Sequence, residues 1–278
     1  MTTLRHGDRG QDVRTLQNRL NDRLKVGLDA TGLFDDATEA AVQTFQRGAG
    51  LVDDGIVGPK TQSALTGQGT ALLLGAGNLV AAAKRLDVPL ASVYAVNEVE
   101  SAGAGFLPNG KPKILFERHQ MYRQLCTSRH PDDDVAALKR HADELAAQYP
   151  SLINPTPGGY AGGVAEHQRL AQARLIDDTA ALESASWGAF QIMGYHATRL
   201  GYESVQAFAE AMASGEPAQL DAFVRFIEAD PALLKALKAR KWADFAKIYN
   251  GPAYARNLYD VKLQRAFERY SASLKEVA

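Results

Sequence analysis

Two segments near the N-terminus repeat one pattern, and this repeat constrains the fold more than any other feature of the chain. Residues 29–41 and 54–64 each run from an aspartate through a turn glycine to a threonine and an alanine three positions apart. Aspartate caps nearby backbone N–H groups and glycine tolerates a positive φ, so both favour tight turns. Side chains three positions apart share a helix face. The repeat therefore predicts two turns, each of which opens a helix.

An apolar stripe before the first turn predicts another helix. Its members follow one another at intervals of three or four residues: Val13, Leu16, Leu20 and Leu24. This spacing predicts a helix over residues 12–24, and we expect a second over 36–47 and a third that ends at Leu65. The inward face of the second helix is predicted to hold Ala37, Ala40, Ala41, Thr44 and Phe45.

The remainder of the chain is predicted to be helix-rich. Residues 66–70 have the composition of a short polar linker, and after them only residues 113–117 are expected to be extended. Helices are predicted over residues 79–99, 133–148, 163–182, 204–214, 217–229, 231–239, 242–248 and 253–270. We therefore expect a mostly all-α protein with a three-helix domain over residues 1–68 and a larger helical domain over residues 69–278.

Composition excludes several classes of function. The 278 residues carry 31 basic and 32 acidic side chains, so no global basic field exists to hold nucleic acid or an anionic membrane. The single cysteine, Cys126, excludes an intramolecular disulfide. Residues 1–7 contain no apolar run, and no later run approaches the roughly 20 residues of a spanning helix. We expect a monomer without a secretory signal and without membrane insertion.

No pattern of a metal or cofactor site is present in the sequence. The six histidines are scattered, and neither the His-Glu-x-x-His spacing nor a phosphate-binding glycine loop occurs. We therefore expect neither a metal nor a cofactor.

Glu100 is the strongest candidate for chemistry. At 100° per residue it shares a helix face with Val96 and Asn97, whereas Glu98 lies about 160° away, so the two acids cannot act as a pair. An acid at the end of an apolar stripe is desolvated, which favours its protonated form. A general acid needs this property, because it must hold a proton near neutral pH. The glycines that follow, Gly103 and Gly105, are expected to open the site beside it.

Glu117 lies inside an apolar run and has two possible explanations. It is either a second active-site carboxylate or an acid neutralised by Arg118 or another basic group, and the sequence leaves both open.

Two later segments suit a sugar site. In the first, Gly188 permits close backbone approach, Gln191 offers an amide to hydroxyl or N-acetyl groups, and Trp187 offers a flat apolar face. In the second, Tyr249 and Asn250 precede a glycine and are followed by Tyr254; they are expected to hold either the acid or an N-acetyl group.

The N-terminal segment resembles a peptidoglycan-binding domain of bacterial and phage wall hydrolases. The resemblance rests on the segments Gly7–Leu20, Val42–Gln46 and Asp54–Thr61 with Phe34. It implies a three-helix fold that binds peptidoglycan and tethers the rest of the chain to it.

The later segments resemble, in the same order, those of the goose-type lysozyme and soluble lytic transglycosylase superfamily. The segments are Glu100-Ser101, Gly188–Gln191 and Tyr249-Asn250-Gly251, and the longer phrases around them resemble the phage N-acetylmuramidase family. The resemblance implies Glu100 as the general acid, Glu117 as the best second carboxylate, and a substrate site formed by Ser101, Ser186, Trp187, Gln191, Tyr249, Asn250 and Tyr254.

The function that this resemblance implies is that of an endolysin. It would cleave the β-1,4 bond between N-acetylmuramic acid and N-acetylglucosamine, leave the host cytoplasm through a separate pore, and act on peptidoglycan in the periplasm. Two alternatives remain: a lytic transglycosylase, which needs only one acid and gives 1,6-anhydro products, and a wall-binding phage protein without activity.

Overall fold

The computed structural model describes residues 3–101, 104–251 and 254–274. Within these ranges the chain is mostly helical, with a small three-stranded sheet. The elements in chain order are α1 (Gln11–Leu24), α2 (Asp36–Gly48), α3 (Pro59–Leu65), α4 (Ala76–Leu86), α5 (Leu90–Glu100), β1 (Ile114–Phe116), α6 (Arg118–Leu125), α7 (Val135–Gln148), α8 (Val164–Arg174), α9 (Asp178–Glu183), β2 (Ala185–Trp187), β3 (Ile192–Met193), α10 (Val205–Ser214), α11 (Glu216–Glu228), α12 (Pro231–Lys238), α13 (Trp242–Asn250) and α14 (Tyr259–Ser273).

Two compact units make up the chain. The first joins Met1–Gly103 with Asp230–Ala278, and the second is Ala104–Ala229. The first unit therefore combines the three N-terminal helices with α4, α5 and the last three helices. Among the described helices, none is both long and apolar enough to cross a membrane.

The three N-terminal helices form as predicted and enclose their own core. Its fully buried members come from α1, α2 and the two turns: Val13, Leu16, Leu20, Phe34, Val42, Leu51 and Val57. Ala41 and Phe45 of α2 are buried as predicted, but Ala37, Ala40 and Thr44 are exposed and the prediction for them is wrong. Thr38 and Val42 occupy the inward face instead.

Two buried glutamines explain both the repeat and the rotated face of α2. Gln17 closes the first turn and Gln46 the second, in the same way. Each side-chain amide donates to a backbone carbonyl of the turn and to a threonine hydroxyl of the next helix, and each side-chain oxygen accepts the N–H of the turn glycine. The threonines are Thr38 and Thr61, and the glycines are Gly32 and Gly55. Thr38 turns inward because the interior of this unit supplies its hydrogen-bond partner.

The predicted linker over residues 66–70 is not a free connection. The backbone N–H of Gln68 donates to Ser63 O at 3.0 Å, and the Thr70 hydroxyl donates to Ala49 O at 2.7 Å. Leu73 then packs against the core of the three-helix unit. The segment is fastened to the helices before it, because its polar groups find partners there.

Three helices predicted as continuous are interrupted. Residues 79–99 form α4 and α5, because Asp87 takes a left-handed φ of 53° and Pro89 lacks an N–H to donate. Residues 163–182 form α8 and α9, where Asp177 caps α9 by accepting from Ala180 N. Residues 254–270 form a 3₁₀ turn and α14, separated by Leu258 at φ 53°; Ala253 lies outside the described residues.

The sheet belongs to the second unit and is antiparallel in the order β1-β2-β3. Ile114 pairs with Trp187 and Phe116 with Ala185, while Ser186 pairs with Met193. The predicted extended segment therefore contains β1, but β2, β3 and α6 were not expected. Strands of three and two residues are too short to show an alternating pattern in sequence.

Candidate active site

Glu100 and Asn250 meet at the C-terminal ends of two helices in the first unit. Glu100 is the last residue of α5 and Asn250 the last of α13. The Asn250 side-chain Nδ2 donates to Glu100 Oε1 at 3.0 Å. Gly251 follows Asn250 with a φ of 76°, which glycine adopts without strain, and so ends α13. The predicted association of the acid with the Tyr-Asn-Gly segment is therefore present in the fold.

The surroundings of Glu100 favour its neutral form. Burial raises the pKa of Glu100 from its ordinary value of 4.5 to about 7, while the Asn250 hydrogen bond and the nearby Lys262 charge act in the opposite direction. A carboxylate at a helix C-terminus also faces the negative end of the helix dipole. Glu100 can therefore hold or release a proton near neutral pH.

Glu98 has different partners, as the helix phase predicted. Its Oε2 accepts from the Tyr270 hydroxyl at 2.6 Å and forms an ion pair with Arg269, both on α14. Tyr94 lies against Tyr270, with ring centroids 5.1 Å apart. Glu98 thus joins α5 to α14 and has a structural role.

Two predicted tyrosines lie near the end of α13. Tyr249 stacks on Phe245, with ring centroids 6.0 Å apart. Burial and the neighbouring Glu100 carboxylate raise the pKa of Tyr249 well above its ordinary value, so its hydroxyl keeps its proton. Tyr254 is half-buried in the 3₁₀ turn Tyr254–Asn257, and its backbone N–H donates to Gly251 O.

Tyr259, which follows the Tyr249-Asn250 segment in the sequence, and Lys262 of α14 also belong to this region, and Lys262 was not predicted. The Lys262 charge acts on Glu100, and its Nζ lies 5.6 Å from the centre of the Tyr259 ring. No local pattern could identify Lys262, because only the packing of α14 on α5 brings it there. Ser101, predicted beside Glu100, is half-buried and directly follows the last residue of α5.

Glu117 lies in the second unit, just after β1, and its side chain is 20% exposed. Its Oε2 accepts from the Tyr160 hydroxyl at 3.4 Å and lies 3.3 Å from His119 Nδ1. Burial and the Glu117 charge raise the pKa of Tyr195, which places that ring nearby as well. Three side chains that can donate protons or hydrogen bonds thus surround this carboxylate.

Arg118 does not neutralise Glu117, but the other basic group that the second explanation allowed is present as His119, 3.3 Å from the carboxylate. The Arg118 guanidinium donates to the backbone carbonyls of Thr156 and Pro157 at 3.0 and 3.2 Å. It therefore holds the segment before α8.

The Ser186–Gln191 segment forms a closed hydrogen-bond network. Ser186 Oγ donates to Gln191 Oε1, and Gln191 Nε2 donates to Gly188 O, both at 2.8 Å. Gln191 is half-buried and takes a φ of 51°, a left-handed conformation that is unusual for a residue with a side chain. The network holds the backbone of this turn in one shape.

Trp187 does not form the predicted sugar platform. It is only 5% exposed, its indole N–H donates to Leu182 O, and its ring meets the edge of Phe208. An indole in this position packs in the core of the second unit, so this prediction is wrong.

The glycines serve packing rather than approach to a sugar. A Cβ on Gly188 would lie 2.6 Å from the Gln219 side chain, and one on Gly105 would lie 2.0 Å from the same side chain. Gln219 is buried and accepts from Ala189 N at 2.8 Å. Packing against Gln219 therefore requires glycine at both positions, and Gly188 also takes a φ of 73°. Gly103 lies outside the described residues.

One group of potential metal ligands occurs in the described part of the chain. Ligand atoms of His6, Asp36 and Glu39 lie within 4.8 Å of one another. His6 Nε2 and Asp36 Oδ1, 2.8 Å apart, satisfy each other, and both residues are exposed. The group indicates a surface ion pair.

Comparison with known families identifies the larger part of the chain. A family model described as N-acetylmuramidase matches residues 89–271, more than half of the chain. The chain belongs to the N-acetylmuramidase family. The match includes every predicted site residue from Glu100 to Tyr254, and the family consists of lysozyme-type glycoside hydrolases. A second model, for a peptidoglycan binding domain, matches residues 9–65 of this N-acetylmuramidase and includes both turn-closing glutamines.

One solved structure is similar over nearly the whole chain. The crystal structure of the Burkholderia AP3 phage endolysin shares 53% sequence identity with this N-acetylmuramidase, with a TM-score of 0.88. The similarity covers 99% of this chain and 100% of that one.

Two curated relatives match only over a part of their length. The zinc D-Ala-D-Ala carboxypeptidase of Streptomyces albus G is 48% identical over 61 residues, which are 21% of this chain and 24% of that protein. An uncharacterized protein of the bpoA1 3' region in Kitasatospora aureofaciens is 45% identical over 71 residues, which are 24% of this chain and 60% of that protein. This N-acetylmuramidase thus spans less than two thirds of either relative.

Proposed function

We propose that this N-acetylmuramidase is a phage endolysin that hydrolyses the β-1,4 bond between N-acetylmuramic acid and N-acetylglucosamine, with Glu100 as the general acid. The observation that carries the proposal is the position of Glu100, mostly enclosed at the end of α5 and held by the neutral amide of Asn250, where burial raises its pKa to about 7. A carboxylic acid that remains protonated near neutral pH can donate its proton to the glycosidic oxygen as the bond breaks. Similarity to the AP3 phage endolysin supports the biological role.

Asn250 is the proposed positioning residue for this acid. Its amide donates to Glu100 Oε1, so the proton of the neutral acid resides on Oε2 and the carboxyl group cannot rotate freely. An amide does this without adding a positive charge, which would depress the pKa of the acid. Tyr249, which remains protonated, and Tyr254 are proposed to contact substrate beside it, as is Ser101.

Glu117 remains the proposed second carboxylate. It would orient the attacking water or stabilise the oxocarbenium-like state. Its partial exposure, and its partners Tyr160 and His119 in place of Arg118, are compatible with an acid that is available for chemistry. We expect Glu117→Gln to lower kcat at least 100-fold; a kcat within a factor of three of the parent value would remove Glu117 from the mechanism.

Gln191 is proposed to contact the sugar, with Ser186 as its support. A left-handed residue fixed by two side-chain hydrogen bonds is a strained feature of the kind found at ligand sites. We expect Gln191→Ala to raise KM for peptidoglycan while the Tm stays close to that of the parent.

The acid is tested with Glu100→Gln in a lysis assay. Permeabilised Gram-negative cells are incubated with parent, Glu100→Gln and Glu144→Gln, the last of which makes the same chemical change at an exposed position of α7. We expect loss of lysis for Glu100→Gln alone. Lysis by Glu100→Gln at the parent rate would refute the assignment, and absence of lysis by the parent itself would favour a wall-binding protein without activity.

The products distinguish hydrolysis from transglycosylation. Mass spectrometry of digested sacculi should show reducing N-acetylmuramic acid ends. Dominant 1,6-anhydro products would show that the muramic 6-hydroxyl is the nucleophile, which is the mechanism of a lytic transglycosylase.

The division of labour that we propose follows the predicted domains. Residues 1–68 bind peptidoglycan and residues 69–278 cleave it, with release from the host cytoplasm into the periplasm as the route to the wall. The peptidoglycan binding match supports the first role. When this protein is expressed in host cells without a pore-forming protein, the cells should stay intact until their inner membrane is permeabilised.

A further inference from the structure

A groove in the first unit extends from the second turn of the three-helix region to the end of α5. Its volume is about 250 Å³. One wall is the turn around Asp54 and Ile56, and the other is formed by Glu98 and Ser101. Ser101, which follows the proposed general acid Glu100 in the chain, is one of the residues that line the groove.

The two walls are fastened to each other. The Tyr94 hydroxyl of α5 donates to Asp53 Oδ1 at 2.6 Å, and Arg47 pairs with the same carboxylate at 3.1 Å. The backbone N–H of Ala76 donates to Leu51 O at 3.3 Å. All of these residues belong to one compact unit. The groove is therefore a built feature of the first unit, shaped before any ligand arrives.

The lining of the groove suits a peptide better than a sugar. Arg5 and Lys60 supply positive charge, Asp54 supplies negative charge, and apolar side chains such as Ile56 lie between them. The carboxylate of Glu98 is already paired with Arg269. None of the described residues that line the groove is aromatic, so the flat apolar face on which sugar rings usually stack is missing there. Charges of both signs instead match a ligand that carries carboxylates and an amine.

We propose that this groove binds the peptide stem of peptidoglycan. The stem is attached to N-acetylmuramic acid, one of the two sugars at the bond that the proposed function cleaves, and it carries free carboxylates and, in Gram-negative walls, a side-chain amine. Ser101, which follows Glu100 in the chain, is the lining residue at which we infer that the stem enters the groove. The inference rests on the proposed function and adds that the N-terminal region recognises the stem beside the acid, where the sequence suggested only a tether.

The test compares one substrate with and without stems. Gram-negative sacculi are used intact and after an amidase has removed their peptides, and kcat and KM are measured on both with the full chain. The variants Arg5→Glu and Lys60→Glu each reverse a charge of the groove. Arg9→Glu makes the same change at an exposed residue that does not line it. Thermal melts verify that each variant is folded.

We expect Arg5→Glu and Lys60→Glu to raise KM about tenfold on intact sacculi and to leave kcat unchanged. On glycan strands without stems, both variants should match the parent, and Arg9→Glu should match it on either substrate. Unchanged KM on intact sacculi would overturn the proposal. An equal rise in KM on both substrates would also overturn it, because the groove would then contact the glycan itself.

A binding measurement separates this proposal from the proposed function. The Glu100→Gln variant is titrated with a disaccharide tetrapeptide and with the same disaccharide without its peptide. It should bind the tetrapeptide more tightly. Arg5→Glu added to the Glu100→Gln variant should abolish that difference in affinity. If Glu100→Gln still cleaves, the assignment of the acid fails while the binding result stands. Equal binding of both compounds would refute the stem groove whatever the outcome for Glu100.

Discussion

Replacement of Glu100 by glutamine should stabilise the folded protein at alkaline pH and leave its stability unchanged at acidic pH. Burial raises the pKa of Glu100 from 4.5 to about 7, so the folded state binds this proton more tightly than the unfolded state. The stabilisation that comes from the proton is fully present below pH 4.5 and is lost as the pH rises through 7. Glutamine is a neutral analogue of the protonated acid and keeps an oxygen that Asn250 can reach, so it does not titrate.

The magnitude follows from the size of the shift. A change from 4.5 to about 7 corresponds to about 3 kcal/mol, which is an upper limit because the carboxyl group keeps some contact with solvent. At pH 8 the variant should therefore gain up to about 3 kcal/mol in free energy of unfolding. For a domain of this size, this gain corresponds to roughly 6–12 °C in Tm.

Circular dichroism melts between pH 4 and pH 8 measure this difference. Glu144→Gln is the matched control, because the same chemical change on an exposed part of α7 should leave the difference from the parent nearly constant with pH. The contrary result is that Glu100→Gln and the parent melt together at pH 8 as well as at pH 4. The buried acid would then carry no cost of ionisation and could not be expected to hold its proton at neutral pH.

Three further predictions test other parts of the structure. In the parent, kcat/KM should fall about tenfold per pH unit above about pH 7. Asn250→Ala should move this alkaline limb to higher pH while lowering kcat, because the Asn250 hydrogen bond lowers the pKa of Glu100 and its loss raises that pKa. An unmoved limb would contradict a positioning role. Gly188→Ala should cost about 2 kcal/mol or more in free energy of unfolding, because the new Cβ meets the Gln219 side chain and because residue 188 has a φ of 73°. Urea denaturation checks this, and a loss below about 0.5 kcal/mol would contradict the packing role. Gln46→Leu should destabilise the three-helix region by about 2 kcal/mol or more, because it leaves the buried N–H of Gly55 without its partner. Amide hydrogen exchange localises the effect, and protection equal to that of the parent would argue against the role of Gln46 in closing the turn.

The sequence predicts the three-helix region well because its determinants are local. Turn residues, an apolar stripe and the repeated threonines all act within a few residues of one another. The prediction that Ala37, Ala40 and Thr44 face inward is wrong for a reason that lies more than a few residues away in the chain. Thr38 is drawn inward by Gln17 of the preceding helix, and that hydrogen bond overrides the apolar pattern on α2.

The larger region is predicted less well because its decisive contacts are distant in sequence. The sequence does not distinguish a glycine that packs against a sugar from one that packs against Gln219, because Gln219 is distant in the chain. It likewise does not distinguish a tryptophan that binds a sugar from one that is buried in the core, as Trp187 is. The breaks at Asp87 and Leu258 depend on left-handed residues that carry side chains, for which the sequence offers no glycine as a signal.

The partners of the buried acids distinguish the proposed catalytic residue from structural ones. Glu98 is paired with Arg269, and Glu166, which is fully buried, accepts from three backbone N–H groups and Arg169. A guanidinium favours the charged form of a carboxyl group, which suits an acid that only has to hold two elements together. Glu100 is held by the neutral amide of Asn250, which orients the group and lowers its pKa by less than burial raises it. Burial can therefore keep the pKa of Glu100 near neutrality, and an amide partner in place of a guanidinium leaves this carboxyl group able to give up a proton at neutral pH.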